Sequence, residues 1–225
     1  MPGQADFSSK PTDPRLESAM QTVAKWHRAA AACVNSAGPS STIHERTRLV
    51  HSYQAKLPAI EAGLSGEADE LFRQVGVRIT THFRRLSDQV LQKLEAVSRT
   101  TVLLQPCIRD IWHDHLLFTG DELTGLIDFG AVRTETVACD LSRLLGSLFR
   151  SDSIGWGKAL AAYEAVSPLT ESESVLLQPL DHSGVLLSGM TWLKRRYLER
   201  TPIADISRVC DRLEKIAERL SSLAS

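Results

Sequence analysis

Three short apolar runs, at 102–104, 116–118 and 123–127, set the strongest limit on how this chain can fold. Each is bounded by polar or turn-forming residues and is too short for a helix, so the runs predict strands. Thr119-Gly120-Asp121-Glu122 joins the second run to the third and reads as a hairpin turn. A hairpin returns the chain to the end from which it started. The loop ahead of the second run and the segment after the third are therefore expected side by side. Asp110 lies in the first and Asp128 in the second. Two aspartates delivered to one end of a hairpin are a candidate site, against the plain alternative that each caps its own loop.

The neighbouring residues narrow the reading. Arg109-Asp110, four further residues and then His115 resemble the kinase catalytic loop H-R-D-x-x-x-x-N, and Asp128-Phe129-Gly130 matches the D-F-G metal loop. The fragment Leu123-Thr124-Gly125-Leu126-Ile127-Asp128, with Asp140-Leu141 further on, is similar to the small-molecule branch, the aminoglycoside phosphotransferase and choline kinase-like family. The resemblance is specific over about 102–150 and looser over the helices on either side. It implies a mainly helical α+β fold, a protein-kinase-like C-terminal lobe with a small β-hairpin. The activity it implies is transfer of the ATP γ-phosphate to a hydroxyl of a small molecule. Asp110 would be the catalytic residue, accepting the hydroxyl proton. Asp128 would hold magnesium against the ATP phosphates, and His115 stands at the position of a second metal and cofactor ligand. Asp140 would steady the catalytic loop through backbone hydrogen bonds.

Three supporting positions depart from the family pattern. Ile108 replaces a histidine, Trp112 stands where the family has histidine or lysine, and His115 replaces the asparagine. Imidazole suits manganese or zinc better than magnesium, so a relative preference for manganese is expected. His115 remains open between a metal ligand and a structural histidine. His113 and His115 could also chelate a transition metal together with Asp128, although no third nitrogen or thiolate ligand is in view. The three changes keep a second reading alive, a non-catalytic, pseudokinase-like binding or interaction module.

Residues 1–13 read as an irregular, hinge-like segment and 14–225 as the lobe itself, with the catalytic hairpin at about 102–130. No Gly-rich phosphate loop and no strand bearing a Val-Ala-x-Lys lysine is visible, so the N-terminal lobe is expected to be absent, the phosphotransferase to be incomplete as this chain, and the chain alone not to turn over ATP at a useful rate. A first helix is predicted with Asp13 as N-cap, Pro14 at its first position, and Leu16, Met20, Val23 and His27 on one face. A second starts near Thr42 with Leu49, Val50, Tyr53, Leu57 and Ile60 as its stripe, and Pro58 should kink or end it. The stretch from Leu71 to Val97 is periodic throughout. Residues 131–138 read as a polar loop, followed by helices at 140–149 and about 154–166. Thr170 with Glu173 forms a capping box, Pro179 should break the helix that follows, and a last helix carries Ile206, Val209, Leu213, Ile216, Leu220 and Leu223.

Lys+Arg 26 against Asp+Glu 27 leaves no field of one sign, which argues against a nucleic-acid or membrane-surface partner. The expected partners are a small-molecule hydroxyl acceptor and the missing N-terminal lobe. The late helices mix signs, Glu171, Glu173 and Asp181 against Lys194, Arg195 and Arg196, so a strongly acidic pocket for polycationic aminoglycosides is not favoured over a metabolic acceptor. Cysteines at 33, 107, 139 and 210 form no C-x-x-C pair, which suits free thiols in a reducing cytoplasm.

Overall fold

The structure is a computed structural model that describes residues 3, 5–33 and 36–224. The Met1-Pro2 opening of the hinge-like segment lies outside them. The described chain is mainly helical α+β, with seven α-helices and five short strands in two small sheets. Among the described residues no helix is long and apolar enough to cross a membrane. The chain divides into two compact units, Met1–Thr42 with Arg99–Asp181, and Ile43–Ser98 with His182–Ser225.

In the first unit the predicted strands form. β2 (Thr101–Cys107) is the centre of a three-stranded antiparallel sheet, between β1 (Ser36–Pro39) and β5 (Arg133–Glu135). β3 (Leu116–Thr119) and β4 (Glu122–Leu126) make the hairpin, with Thr119 opposite Glu122. Its two-residue turn places Gly120 at φ 62°, where a side chain would be strained. Ala5 adds a bridge to Phe118, so part of the hinge-like segment lies against the hairpin. The supposed loop at 131–138 instead contains β5 and the start of α4 (Val137–Phe149). β5 was invisible because Arg133-Thr134-Glu135 has no apolar alternation and borrows its order from β2.

α1 (Asp13–Ala31) starts as expected, with the cap one residue earlier: Thr12 Oγ1 accepts the Arg15 N–H. Leu16, Met20, Val23 and His27 are all buried. α5 (Ser153–Glu164) is capped by Asp152. The expected box at the next helix forms in both directions: Thr170 N–H donates to Glu173 Oε2 at 2.9 Å and Glu173 N–H to Thr170 Oγ1 at 3.2 Å.

The expectation that Pro179 breaks its helix is overturned, as is the alternative that Pro58 ends its own. α2 (Ser41–Ser65) runs through Pro58, and α6 (Glu171–Tyr197) runs through Pro179. Each proline removes one helical hydrogen bond, but the residues around it are anchored. Leu57, Ile60 and Leu64 are buried about the first, and Leu176, Leu177 and Leu180 about the second. Tertiary burial over several turns outweighs one local defect. Leu49 and Leu71, expected on core faces, are 41% and 50% exposed.

The second unit is helical. α3 (Glu70–Ala96) buries Val75, Ile79, Phe83, Leu86, Val90 and Leu94 and packs on α7 (Ile206–Leu223). α7 turns Val209, Leu213 and Leu220 inward, the narrow seam of its sequence. The α6 backbone passes close to α3 at Gly189, where a Cβ would lie 2.8 Å from the Ile79 side chain. Glu67 ties this unit electrostatically. Its carboxylate accepts two bonds from Arg196, each 3.0 Å, and one from Tyr197 Oη at 3.0 Å, and its side chain is 4% exposed. The Arg196 guanidinium pulls its pKa from 4.5 to about 2 against the opposing effect of burial. A carboxylate depressed on folding stabilises the native state above its unfolded pKa, and that contribution is lost as pH falls toward the folded value. Glu67→Gln should therefore cost about 2 kcal/mol in urea unfolding at pH 7. The gap between wild type and variant should close as the pH is lowered from 4.5 toward 2.

Candidate active site

The segment that bears Asp110 leaves β2 at Cys107 and reaches β3 through a 3-10 turn at His113–His115. Ile108 and Ile111 are fully buried and bracket Asp110, whose side chain is 56% exposed. The apolar pair thus fastens the loop from below and leaves the aspartate outward. Arg109, between them, sits at φ 67°, a left-handed conformation that costs a non-glycine residue on the order of 1 kcal/mol. Something must hold it there.

That something is Asp140, on the first turn of α4 and fully buried. Its Oδ1 accepts the Arg109 N–H at 2.6 Å and its Oδ2 the Ile108 N–H at 2.8 Å. His27 of α1, also buried, meets Oδ2 through Nε2 at 3.0 Å, and its Nδ1 lies 2.8 Å from the Tyr163 hydroxyl of α5. The arrangement sets the imidazole to donate from Nε2 and accept at Nδ1. Burial pushes the Tyr163 hydroxyl above its usual range, which keeps it a donor. Cys107 completes the surroundings: burial raises its thiol far above the thiolate range, and its Sγ–H donates to the Glu135 carbonyl. His27, Cys107 and Asp140 are the three side chains that approach metal-ligand spacing among the described residues. A protonated thiol and a carboxylate already satisfied by three donors make this a hydrogen-bonded hub.

Glu135 buttresses the loop from β5. Its Oε2 accepts from Ser41 Oγ, Thr42 N–H and Thr42 Oγ1, each at 2.8 Å, and so caps α2. Burial opposes its charge, but Thr136 N–H and the hydroxyls of Ser40, Ser41 and Thr42 outweigh burial and hold its pKa below the ordinary carboxylate value. Arg109 Nη2 donates to the same Thr42 hydroxyl at 3.2 Å.

The ladder of β3 and β4 pairs Leu116 with Leu126, and Ile127 N–H extends it to the His115 carbonyl at 3.2 Å. The segments bearing His115 and Asp128 therefore leave the hairpin at one end. Asp128 is also left-handed, at φ 64°, with its side chain 59% exposed. Its Oδ2 lies 3.7 Å from His115 Nε2. That nitrogen already accepts the Trp112 indole N–H at 2.5 Å, while the buried His115 Nδ1 has no hydrogen-bond partner among the described residues. In this arrangement the lone pair on the Asp128 side is taken by the indole, so His115 becomes a ligand only if Trp112 turns away. Magnesium commonly needs one or two protein carboxylates beside substrate phosphates, so the exposed Asp128 fits that ion by itself. His113, His115 and Asp128 do not assemble a three-ligand group among the described residues, which removes the transition-metal chelate.

Sequence reading missed Arg143. From α4, three residues past Asp140, its Nε and Nη2 each lie 3.1 Å from Asp110 Oδ1, and its Cζ is 6.0 Å from the Trp112 ring centroid. The only signal was its spacing, which puts it on the turn after Asp140. Asp110, Arg143, Trp112, His115 and Asp128 thus follow one another in a chain of contacts. Exposed Ile127, Phe129 and Val132 give the Asp128 segment an apolar rim, and Phe129 meets Trp26 with ring centroids 6.1 Å apart.

The two aspartates respond differently to substitution. Asp140→Ala strands two loop amides and a buried imidazole and should lower unfolding free energy by about 3 kcal/mol or more. Asp110→Asn, at an exposed pair, should change it by less than about 1 kcal/mol. Paired urea titrations check this, and equal losses would contradict it.

Residues 6–176 match the phosphotransferase enzyme family, APH. A homoserine kinase of Agrobacterium fabrum is 37% identical over 89 residues, 37% of this chain and 28% of that protein. One of Rhizobium rhizogenes is 36% identical over the same length. The matched stretch thus spans less than a third of these relatives. An aminoglycoside phosphotransferase structure from Alicyclobacillus acidocaldarius superimposes with TM-score 0.58 at 20% identity, covering 99% of this chain and 67% of that one. A glucosamine kinase bound to glucosamine, ADP and inorganic phosphate gives 0.57 at 13% identity, covering 91% and 52%. At such identities these likenesses carry the kinase-like fold. The family match covers most of the chain, and with it the chain belongs to the phosphotransferase enzyme family.

Proposed function

We propose that this chain carries the catalytic and metal-binding aspartates of an ATP-dependent phosphotransferase that acts on a hydroxyl of a small molecule. The observation that carries the reading is the hold of Asp140 on the loop of Asp110, at the base of the hairpin that ends in Asp128-Phe129-Gly130. Asp110 acts as the proton acceptor. Arg143 engages its Oδ1, leaving Oδ2 to take the hydroxyl hydrogen bond. Asp128 holds magnesium, and the bound ion supplies charge neutralisation of the nucleotide phosphates. His115 is the second ligand once the Trp112 indole releases it. Relatives named for homoserine and glucosamine point to an acceptor of that size, not a polymer.

A second reading, a nucleotide- or ligand-binding module without turnover, draws on two contacts: the indole on His115 Nε2 and the guanidinium on Asp110. One experiment separates the two. The purified chain is titrated with ATP with and without magnesium, then assayed for labelled phosphate transfer to homoserine, glucosamine and simple amino alcohols. On the catalytic reading Asp128→Asn weakens metal-dependent ATP binding by about tenfold or more. Asp110→Asn keeps binding within about twofold and abolishes transfer. ATP binding that neither magnesium nor Asp128→Asn alters selects the module, and transfer that survives Asp110→Asn refutes the assigned roles.

The metal preference is testable separately. Wild type should bind manganese more tightly than magnesium, and His115→Asn should reverse that order. Trp112→Phe, which frees His115 Nε2, should strengthen manganese binding. Paramagnetic broadening by manganese with magnesium competition reads all three. A wild-type preference for magnesium would contradict the assignment of His115.

A further inference from the structure

The stretch from Trp192 to Arg212, wholly inside the second unit, forms an open cleft of about 380 Å³. That lies within the ~300–1,000 Å³ typical of small-molecule sites. Three arginines line it, Arg195, Arg208 and Arg212, with Trp192 and Pro202 among its walls. Arg195 lies over the Trp192 ring, its Cζ 5.5 Å from the centroid. Stacking holds that guanidinium flat while leaving its in-plane N–H groups free to donate. The carboxylate in the lining, Asp205, is committed to its own backbone: Oδ1 accepts the Arg208 N–H at 2.9 Å as the cap of α7. The Glu199 carboxylate is held low chiefly by its bond to Lys194, with Arg195 a lesser influence on it. Positive charge is concentrated in a concave surface although the whole chain is nearly neutral.

We propose that this cleft binds a small molecule carrying a phosphate monoester. A carboxylate is satisfied by one guanidinium fork, whereas a phosphate presents up to three acceptor oxygens and close to two charges, which several forks together match. The Trp192 wall gives the ligand body an apolar surface. A polycationic ligand is repelled. The cleft is argued from its own residues and does not depend on the roles given to Asp110 and Asp128.

The test uses the whole chain labelled with nitrogen-15, following the Trp192 indole N–H signal, which Trp192→Phe identifies. AMP, glucose 6-phosphate, inorganic phosphate and benzoate are titrated separately at constant ionic strength in chloride. A phosphate monoester should move the signal saturably, and benzoate should bind at least about tenfold more weakly. AMP against glucose 6-phosphate tells whether a nucleotide or a sugar phosphate is the better source of that group. Arg195→Gln and Arg208→Gln should each raise the titration midpoint about tenfold, and Asp110→Asn should leave it unchanged. Both arginines are exposed, and circular dichroism checks that each variant is folded; if one is not, the other decides. No saturable shift, a response to inorganic phosphate alone, or midpoints unmoved in the folded arginine variants would overturn the proposal.

Discussion

A single buried carboxylate fixes the geometry of the site. Asp140 reaches two successive amides of a loop that has no regular ladder of its own, and it does so from the rigid first turn of α4. A carboxylate buried this deeply is tolerable only with a full set of donors. The third comes from His27, whose ring is in turn fixed by Tyr163. The loop thereby inherits the positions of three helices, α1, α4 and α5. Arg109 can stay left-handed because relaxing it would break bonds to an anion in a medium of low dielectric.

Charge in the outer part of the site is arranged differently. Asp110 and Asp128 are both more than half exposed; Arg143 lies against the first and His115 near the second. Arg143 offers Asp110 a cation, and Trp112 offers His115 a donor. The exposed Arg143–Asp110 pair is weak and can be displaced at small cost, whereas the Asp140 hub below cannot be exchanged. The loop is firm where Asp140 anchors it and looser at its exposed aspartates.

How much of this was legible in the sequence follows from the range of each interaction. The strands at 102–104, 116–118 and 123–127 were visible because their apolar content and the turn at Gly120 are local facts. The Thr170 and Glu173 box was visible for the same reason. β1 and β5 were not, since Ser36-Ala37-Gly38-Pro39 and Arg133-Thr134-Glu135 become strands only against β2. Pro58 and Pro179 misled because a local penalty was weighed without the burial on either side. Asp110, His115 and Asp128 could be singled out by type and spacing. That Trp112 would take the His115 nitrogen, and Arg143 the Asp110 oxygen, depends on side-chain directions that no spacing encodes.

The thiol of Cys107 lies directly beneath the loop, yet it is sealed from chemistry. It has no exposed surface, and burial, reinforced by the negative charges of Asp140 and Glu135, suppresses the thiolate on which oxidants and alkylating agents act. Cys33, by contrast, is exposed at the end of α1. Under oxidative stress the lesion should form at the periphery, and the anchorage of the Asp110 loop should be indifferent to the redox state of its surroundings.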